Sequence, residues 1–158
     1  MSLAIVYTRA ALGIEAPLIT VEVHLSNGLP GLTMVGLPET TVKEARDRVR
    51  SALINSGYAF PAKKITINLA PADLPKEGGR YDLPIALALL VASEQLNTTR
   101  LNQYEFVGEL ALTGGLRGVP GAIPSAMEAI KAGRRIVVSS DNAAEVGLIG
   151  GSDCLVAD

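Results

Sequence analysis

The segment spanning residues 68–90, which reads NLAPADLPKEGGRYDLPIALALL, constrains the fold more than any other part of the chain. It begins with the end of an apolar strand and ends in a run, residues 83–92, whose side chains are all apolar. A helix that is apolar on every side is buried inside a domain. The intervening loop carries prolines and the pair Gly78-Gly79, which permit tight backbone geometry. The segment therefore predicts a strand, a polar loop and a central buried helix that Asp82 caps.

The composition predicts one domain, residues 1–158, of ordinary size. The chain has 158 residues, of which 48% are hydrophobic and 19% charged, enough to bury a single core. Two Phe, four Tyr and no Trp leave little material for stacking nucleic-acid bases on aromatic rings. The single cysteine, Cys154, excludes an internal disulfide and a multi-cysteine zinc site. The start lacks a basic signal-peptide region and the apolar runs are short, so we expect a cytoplasmic protein without a membrane partner.

Seven strands are predicted from alternating or continuous apolar runs. The turn Ser26-Asn27-Gly28 leads us to expect a hairpin between the second and third strands. A further glycine-bounded segment, residues 108–119, is expected to form a hairpin or a loop, with residues 116–119 as the returning arm of a hairpin. The strands are expected over residues 4–7, 18–25, 32–35, 63–69, 104–107, 136–138 and 154–156.

Four helices alternate with these strands. The first is expected to begin at a capping box formed by Thr41 and Glu44 and to end at Gly57. The second is the buried helix, the third covers residues 123–132, and the fourth is a short helix that Asp141 caps. The order of elements predicts an α+β or mixed α/β layered domain.

No complete motif for a nucleotide, a metal or a nucleophilic triad is present. A phosphate-binding loop requires a Gly-Lys pair, and the chain contains none. The only histidine, His24, lies in the alternating strand in phase with Glu22 and is expected to face solvent. Four carboxylates could supply an acid–base pair, but local ion pairs and helix caps are the favoured interpretation. These carboxylates are Asp73, Glu77, Asp82 and Glu109.

Basic residues concentrate between positions 43 and 64. Six positive and two negative side chains there give a local charge of +4, six minus two, in a chain of net charge −2. Such a patch suits phosphate groups, although a solvated helix face has the same composition. The positive residues are Lys43, Arg46, Arg48, Arg50, Lys63 and Lys64.

Two segments resemble a known family. DLPKEGGRYDLPIALALL, residues 73–90, and GELALTGGLRGVPGAIPSA, residues 108–126, resemble the core motifs of the Lon-protease domain and of the C-terminal domain of the RadA recombination protein. The whole chain, including GLPGLTMVGLPETTVKEARDRVRSALINSGY, resembles the N-terminal domain of the magnesium-chelatase-related AAA+ ATPases of the YifB/ComM family. The resemblance implies a Lon-protease-like α+β fold, with a mixed sheet and helices packed mainly on one side.

The resemblance also implies that this domain is not a protease. Active Lon proteases use a Ser–Lys dyad, in which a desolvated lysine activates the hydroxyl. The two motifs place Arg80 at the serine position and Ile123 at the lysine position, while Ser125 and Lys131 are out of register. A pseudoprotease is therefore expected, with no catalytic residue, cofactor or metal of its own.

Members of this family continue into an AAA+ ATPase module that is absent from this chain. By resemblance, the parent protein is expected to use ATP and magnesium, to form a hexameric ring, and to drive DNA branch migration in competence and recombination. The domain would then assist DNA binding or ring assembly, in contact with its own ATPase module and neighbouring subunits.

The residues expected to contact DNA phosphates, without base reading, form one candidate set. A purely structural oligomerisation or protein-docking role is the alternative. A hydrolase or a metal-chelatase component is less favoured, because the dyad is missing and no His or Cys cluster occurs. The candidate DNA contacts are Arg46, Arg50, Lys63, Lys64, Lys76 and Arg80.

Overall fold

The computed structural model describes residues 2–76, 78–148 and 153–158 and contains nine strands and four α-helices there. The strands are β1 (Ser2–Arg9), β2 (Leu18–Ser26), β3 (Gly31–Val35), β4 (Lys64–Ala70), β5 (Tyr104–Phe106), β6 (Glu109–Leu110), β7 (Leu116–Arg117), β8 (Arg135–Ser139) and β9 (Cys154–Ala157). The helices are α1 (Glu39–Asn55), α2 (Asp82–Ala92), α3 (Ala122–Lys131) and α4 (Ala143–Val146). Two short 3₁₀ turns, Leu101–Gln103 and Ser140–Asn142, precede β5 and α4.

Seven of the strands form one mixed sheet in the order β3-β4-β2-β1-β5-β8-β9. β2 is antiparallel to both β1 and β4, and the other neighbours are parallel. β6 and β7 form a separate antiparallel hairpin, the first of the two alternatives expected for residues 108–119. The mixed α/β class is therefore confirmed.

β3 does not form the predicted hairpin with β2. β4 lies between them, and β3 runs parallel to β4 with Leu32 opposite Ile65. Parallel neighbours need a crossover connection, and α1 provides it. The chain enters this crossover at Gly36, where φ is 98° and a Cβ would lie 2.3 Å from the Leu69 carbonyl oxygen. The prediction was wrong because it relied on the local turn sequence after β2. The strand that pairs with β2 on this side is β4, which follows α1 in the chain.

The two longest helices, α1 and α2, cover one face of the sheet. Alternate side chains of β1, β2 and β4 are buried beneath them. Val137 packs into the same core, whereas its neighbours Ile136 and Val138 pack with α3 in a second, smaller core. Because successive strand residues point to opposite faces, α3 covers the β8 end of the other face. The larger core includes Val6, Val21, Val23, Ile67, Leu69 and Leu89.

α2 is the buried helix predicted from residues 83–92. Eight of its eleven residues are buried, so it is enclosed on nearly all sides. No helix among the described residues combines the length and apolar character needed to cross a membrane.

Three predicted helix caps are wrong. α1 begins at Glu39 after Pro38, before the expected capping box at Thr41, and no side chain caps it. α2 has no side-chain cap either, because the Asp82 carboxylate is engaged elsewhere, as described below. The Asp141 carboxylate likewise caps nothing, since it accepts a hydrogen bond from the Gly118 N–H.

The remaining part of the second face, over β1, β2 and β4, carries no helix. We call it the open sheet face. It exposes Leu3 by 61% and Ile5 by 42%, beside half-buried polar residues such as Glu22 and His24. At its β5 side, the buried Glu105 carboxylate pairs with the Arg9 and Arg134 guanidiniums at 2.6 and 3.1 Å.

Stability should increase when Glu94, just after α2, is replaced by glycine. Its φ of 62° is left-handed, a conformation that costs a residue with a Cβ roughly 1–2 kcal/mol. Glu94→Gly should therefore raise the free energy of unfolding by about 0.5–1 kcal/mol, as measured by urea denaturation. The control is Ser93→Gly, because Ser93 has an ordinary φ of −89° and its hydroxyl donates to the Leu89 carbonyl. A loss of stability in Glu94→Gly would contradict the strain argument.

Candidate functional site

A cleft beside α1 brings together three of the predicted basic residues. Arg46 and Arg50 lie one turn apart on α1, and Lys63 lies immediately before β4. All three line a cavity of about 540 Å³, which we call the basic cleft. Its other walls include Gly31, Leu32, Asp47, Phe60 and Pro61.

The electrostatics of the basic cleft are positive. Its three cations face one lining carboxylate, Asp47, so the local charge is +2, three minus one. Arg46 Nε lies 3.8 Å from Asp47 Oδ1, too far for a hydrogen bond. The exposed Arg50 guanidinium lies 5.9 Å from the centre of the Phe60 ring, within cation–π range. Lys63 Nζ donates to Asn27 Oδ1 at 3.1 Å, a neutral acceptor that leaves its charge uncompensated.

Two other candidate residues are buried away from this cleft. Lys76 is 4% exposed, and its Nζ donates to the carbonyls of Pro71 and Leu74. Burial lowers the pKa of the Lys76 amine below its ordinary value. Lys64, in contrast, is exposed at the start of β4, next to Lys63. A phosphate on the surface can therefore reach Lys64 but not the Lys76 ammonium.

Arg80, the second buried candidate, is the residue that the resemblance to Lon proteases places at their serine position. Its Nε donates to the Arg9 carbonyl at 2.9 Å, Nη1 to the Pro120 carbonyl at 2.6 Å and Nη2 to Ser125 Oγ at 2.8 Å. It is 4% exposed, and this burial lowers its pKa. Ile123, which the same resemblance places at the lysine position, is half-buried near the start of α3. The Arg80 side chain thus holds the end of β1, α3 and the loop before α3 together.

Sequence reasoning missed the function of Ser125, which it placed out of register with the protease motif. Ser125 is completely buried on α3, and its hydroxyl accepts from Arg80. No local pattern identifies this contact, because the two residues are far apart in sequence.

A second missed interaction joins Arg48 to Asp82. Arg48 Nε and Nη2 donate to the two Asp82 oxygens at 2.6 and 3.3 Å, and the Leu110 N–H donates to Asp82 Oδ2 at 3.1 Å. We call this group the Asp82 clamp, since it joins α1, α2 and β6. Arg48 was counted in the basic patch of residues 43–64, four residues after Glu44 on α1. It does lie 3.9 Å from Glu44, but the Asp82 contact is much shorter.

Burial raises the pKa of Asp82 to about 6. Loss of hydration raises it more than the Arg48 guanidinium and the Leu110 N–H lower it, and the nearby Glu109 carboxylate raises it slightly further. Pairing with Asp82 in turn raises the pKa of Arg48.

The carboxylates considered as an acid–base pair are not arranged as one. Asp73 is exposed, Asp82 is bound in its clamp, and Glu77 lies outside the described residues. Glu109 lies against Gly79, where a Cβ would be only 2.4 Å from Glu109 Oε2. Within residues 2–76, 78–148 and 153–158, no group of three or more His, Cys, Asp or Glu side chains could hold a metal ion.

The Asp82 clamp predicts an unusual pH dependence. Asp82 has an ordinary pKa of 3.8 when unfolded and about 6 when folded, so the folded state binds the extra proton between these values. Its contribution to stability should therefore be fully present at low pH and fall as the pH rises through this window. The stability advantage of the wild type over Asp82→Asn should be greater at about pH 4 than at about pH 7, by up to about 3 kcal/mol.

Urea denaturation at the two pH values measures this difference, and Asp73→Asn, at an exposed position, is the control. An advantage that increases with pH would contradict the expectation and would mean that Arg48 lowers the Asp82 pKa below its ordinary value.

Comparison with known proteins shows clear relatives. The chain is 79% identical over its full length to the YifB protein of Escherichia coli (strain K12) and 64% identical over 149 residues to the competence protein ComM of Haemophilus influenzae. A Mycobacterium tuberculosis protein, Rv2897c, is 38% identical over 154 residues. These three matches include 100%, 94% and 97% of this chain, respectively. They include only 31%, 29% and 31% of the length of the relatives.

The family model described as subunit ChlI of Mg-chelatase matches residues 21–142. The matched region includes α1, the Asp82 clamp, Arg80 and the hairpin of β6 and β7. Because the match covers most of the chain and includes the residues that organise its fold, the chain belongs to the family of subunit ChlI of Mg-chelatase, in which YifB and ComM are its relatives.

Proposed function

We propose that this chain is a non-catalytic module of a magnesium-chelatase-related protein and that it contacts the phosphate backbone of DNA through the basic cleft. The observation that carries the proposal is the convergence of Arg46, Arg50 and Lys63 on one concave surface with a single opposing carboxylate.

The chemistry of the basic cleft suits phosphate groups. Arginine binds phosphate with paired N–H donors, and lysine adds a mobile positive charge. Arg50 is exposed and Arg46 partly exposed, so both can reach a polyanion without unfolding the helix. Lys64 extends the positive surface beyond the cleft along β4. Contacts of this kind position a nucleic acid without reading its sequence.

The wider role rests on the relatives. ComM of Haemophilus influenzae is named a competence protein, which supports a role with DNA. The chain spans about a third of the relatives' length, and the remainder is expected to be an AAA+ ATPase that uses ATP and magnesium. In a parent that assembles as a hexameric ring, the domain would hold DNA near the motor during branch migration.

A protein-docking function is the second candidate, and the open sheet face favours it. Leu3 and Ile5, neighbours on this face of β1, are 61% and 42% exposed. Contiguous exposed apolar side chains mark surfaces that contact other proteins. The partner would be the ATPase part of the same protein or a neighbouring subunit, and DNA contacts would then lie elsewhere.

A charge-matched pair of variants tests the DNA proposal. The first variant replaces Arg46, Arg50 and Lys63 with Ala, and the control replaces three exposed basic residues outside the cleft, Arg100, Arg117 and Lys131. Fluorescence anisotropy with single-stranded, duplex and four-way-junction DNA across a salt series measures binding. The cleft variant should bind at least about tenfold more weakly, with a salt slope reduced by about 2–3, because each phosphate contact contributes roughly 0.7–0.9 to that slope.

The control variant removes the same charge, so it should keep the wild-type slope. Equal losses in both variants would show that net charge alone governs binding and would contradict the cleft. Absence of binding by the wild type at low salt would support the docking role.

A further inference from the structure

A second cavity lies where the ends of three segments meet. Its volume is about 360 Å³, and its walls come from the segment after β1, the loop before α2, the loop before α3 and Glu109 of β6. Ala11, Gly79, Arg80, Glu109 and Pro120 are among its lining residues. None of the residues that line the basic cleft lines this cavity, so the two sites are separate.

Among the described residues, the Arg80 guanidinium at this cavity has only neutral hydrogen-bond partners. Its three hydrogen bonds go to two carbonyls and one hydroxyl, all neutral acceptors. In the described part of the chain no carboxylate lies within 4.0 Å of it, although it is 4% exposed. A guanidinium has five N–H donors, so two remain beyond those three. A buried cation normally has an anionic partner, because desolvation of an unpaired charge is costly.

The guanidinium lies directly behind the cavity wall. Nη1 donates to the carbonyl of Pro120, a lining residue, at 2.6 Å. Nη1 also lies 3.5 Å from the position of a Cβ on Gly121, and that position is 3.1 Å from the Cβ of Ala11, which lines the cavity too. The charge is thus within reach of a small anion placed between Ala11 and Pro120.

We infer that this cavity binds a carboxylate, with Arg80 as the residue that recognises it. A carboxylate carries the single negative charge that neutralises one guanidinium, and its two oxygens match paired N–H donors. Glu109 on the same wall disfavours an anion of higher charge, such as the phosphate dianion. The carboxylate belongs either to a small organic acid or to the C-terminus of a peptide.

The test is a titration of the 158-residue chain observed by NMR, through the Arg80 Nε–H and the amides of Gly79 and Gly118. The probes are sodium acetate, N-acetylglycine as a peptide-terminus mimic, and sodium phosphate. Sodium chloride at the same ionic strength is the reference. The expected result is a saturable shift at these groups with both carboxylates, at least about fivefold weaker with phosphate. Tighter binding of N-acetylglycine assigns the site to a peptide terminus, and equal binding assigns it to a small acid.

Three variants keep Arg80 in place and therefore keep its structural contacts. Ala11→Phe, at an exposed residue of the cavity mouth, should abolish the saturable shift, whereas Ala144→Phe, exposed on α4, should not. Glu109→Gln removes a negative charge and should tighten carboxylate binding about threefold or more. Shifts that never saturate, that equal those with chloride, or that persist in Ala11→Phe would overturn the inference. Arg80 would then serve only as a structural link.

Discussion

The buried Asp82 carboxylate is the constraint around which this fold is organised. It stands at the start of the most apolar helix and is completely inaccessible to solvent. A carboxylate in that position needs hydrogen-bond donors, and it obtains them from Arg48 on α1 and from the Leu110 N–H on β6. One side chain thereby fixes how α1 and the hairpin lie against α2.

The orientation of the basic cleft follows from the same contact. Each residue of an α-helix is rotated by about 100° from the last, so residues two positions away from Arg48 point to nearly the opposite side. Because Arg48 turns inward to Asp82, Arg46 and Arg50 turn outward together, toward Lys63. The structural ion pair and the candidate binding surface therefore lie on opposite faces of α1.

The sequence predicted those parts of the fold that depend on local pattern. The apolar run 83–92 predicted α2, and the alternation of apolar and polar residues over 18–25 predicted β2. Both predictions succeeded because the burial of an element determines the order of apolar and polar residues along it. The pairing of β3 with β4 has no such local pattern, since the two strands are separated in sequence by the whole of α1. The cap predicted at Asp82 failed for a similar reason, because a distant arginine competes for the same carboxylate.

The candidate site was predictable in part. The concentration of basic residues between positions 43 and 64 identified Arg46, Arg50 and Lys63, and the structure brings these three to one cleft. The burial of Lys76 and Arg80 could not be predicted from the sequence. Their hydrogen-bond acceptors are mainly backbone carbonyls, which every residue carries and which therefore leave no pattern of residue types. The apolar residues around Glu105 in YEFV are a signal that could have identified a buried carboxylate in need of cations.

The most direct test of the central claim is a map of amide chemical shifts for the 158-residue chain with a short DNA at low salt. The basic cleft predicts that the perturbed amides cluster in α1 around Arg46 and Arg50 and in the segment from Phe60 to Lys64, and that they vanish together as salt is added. Perturbations confined to the open sheet face around Leu3 and Ile5, or none at all, would contradict a DNA-binding cleft and leave docking as the function of this domain.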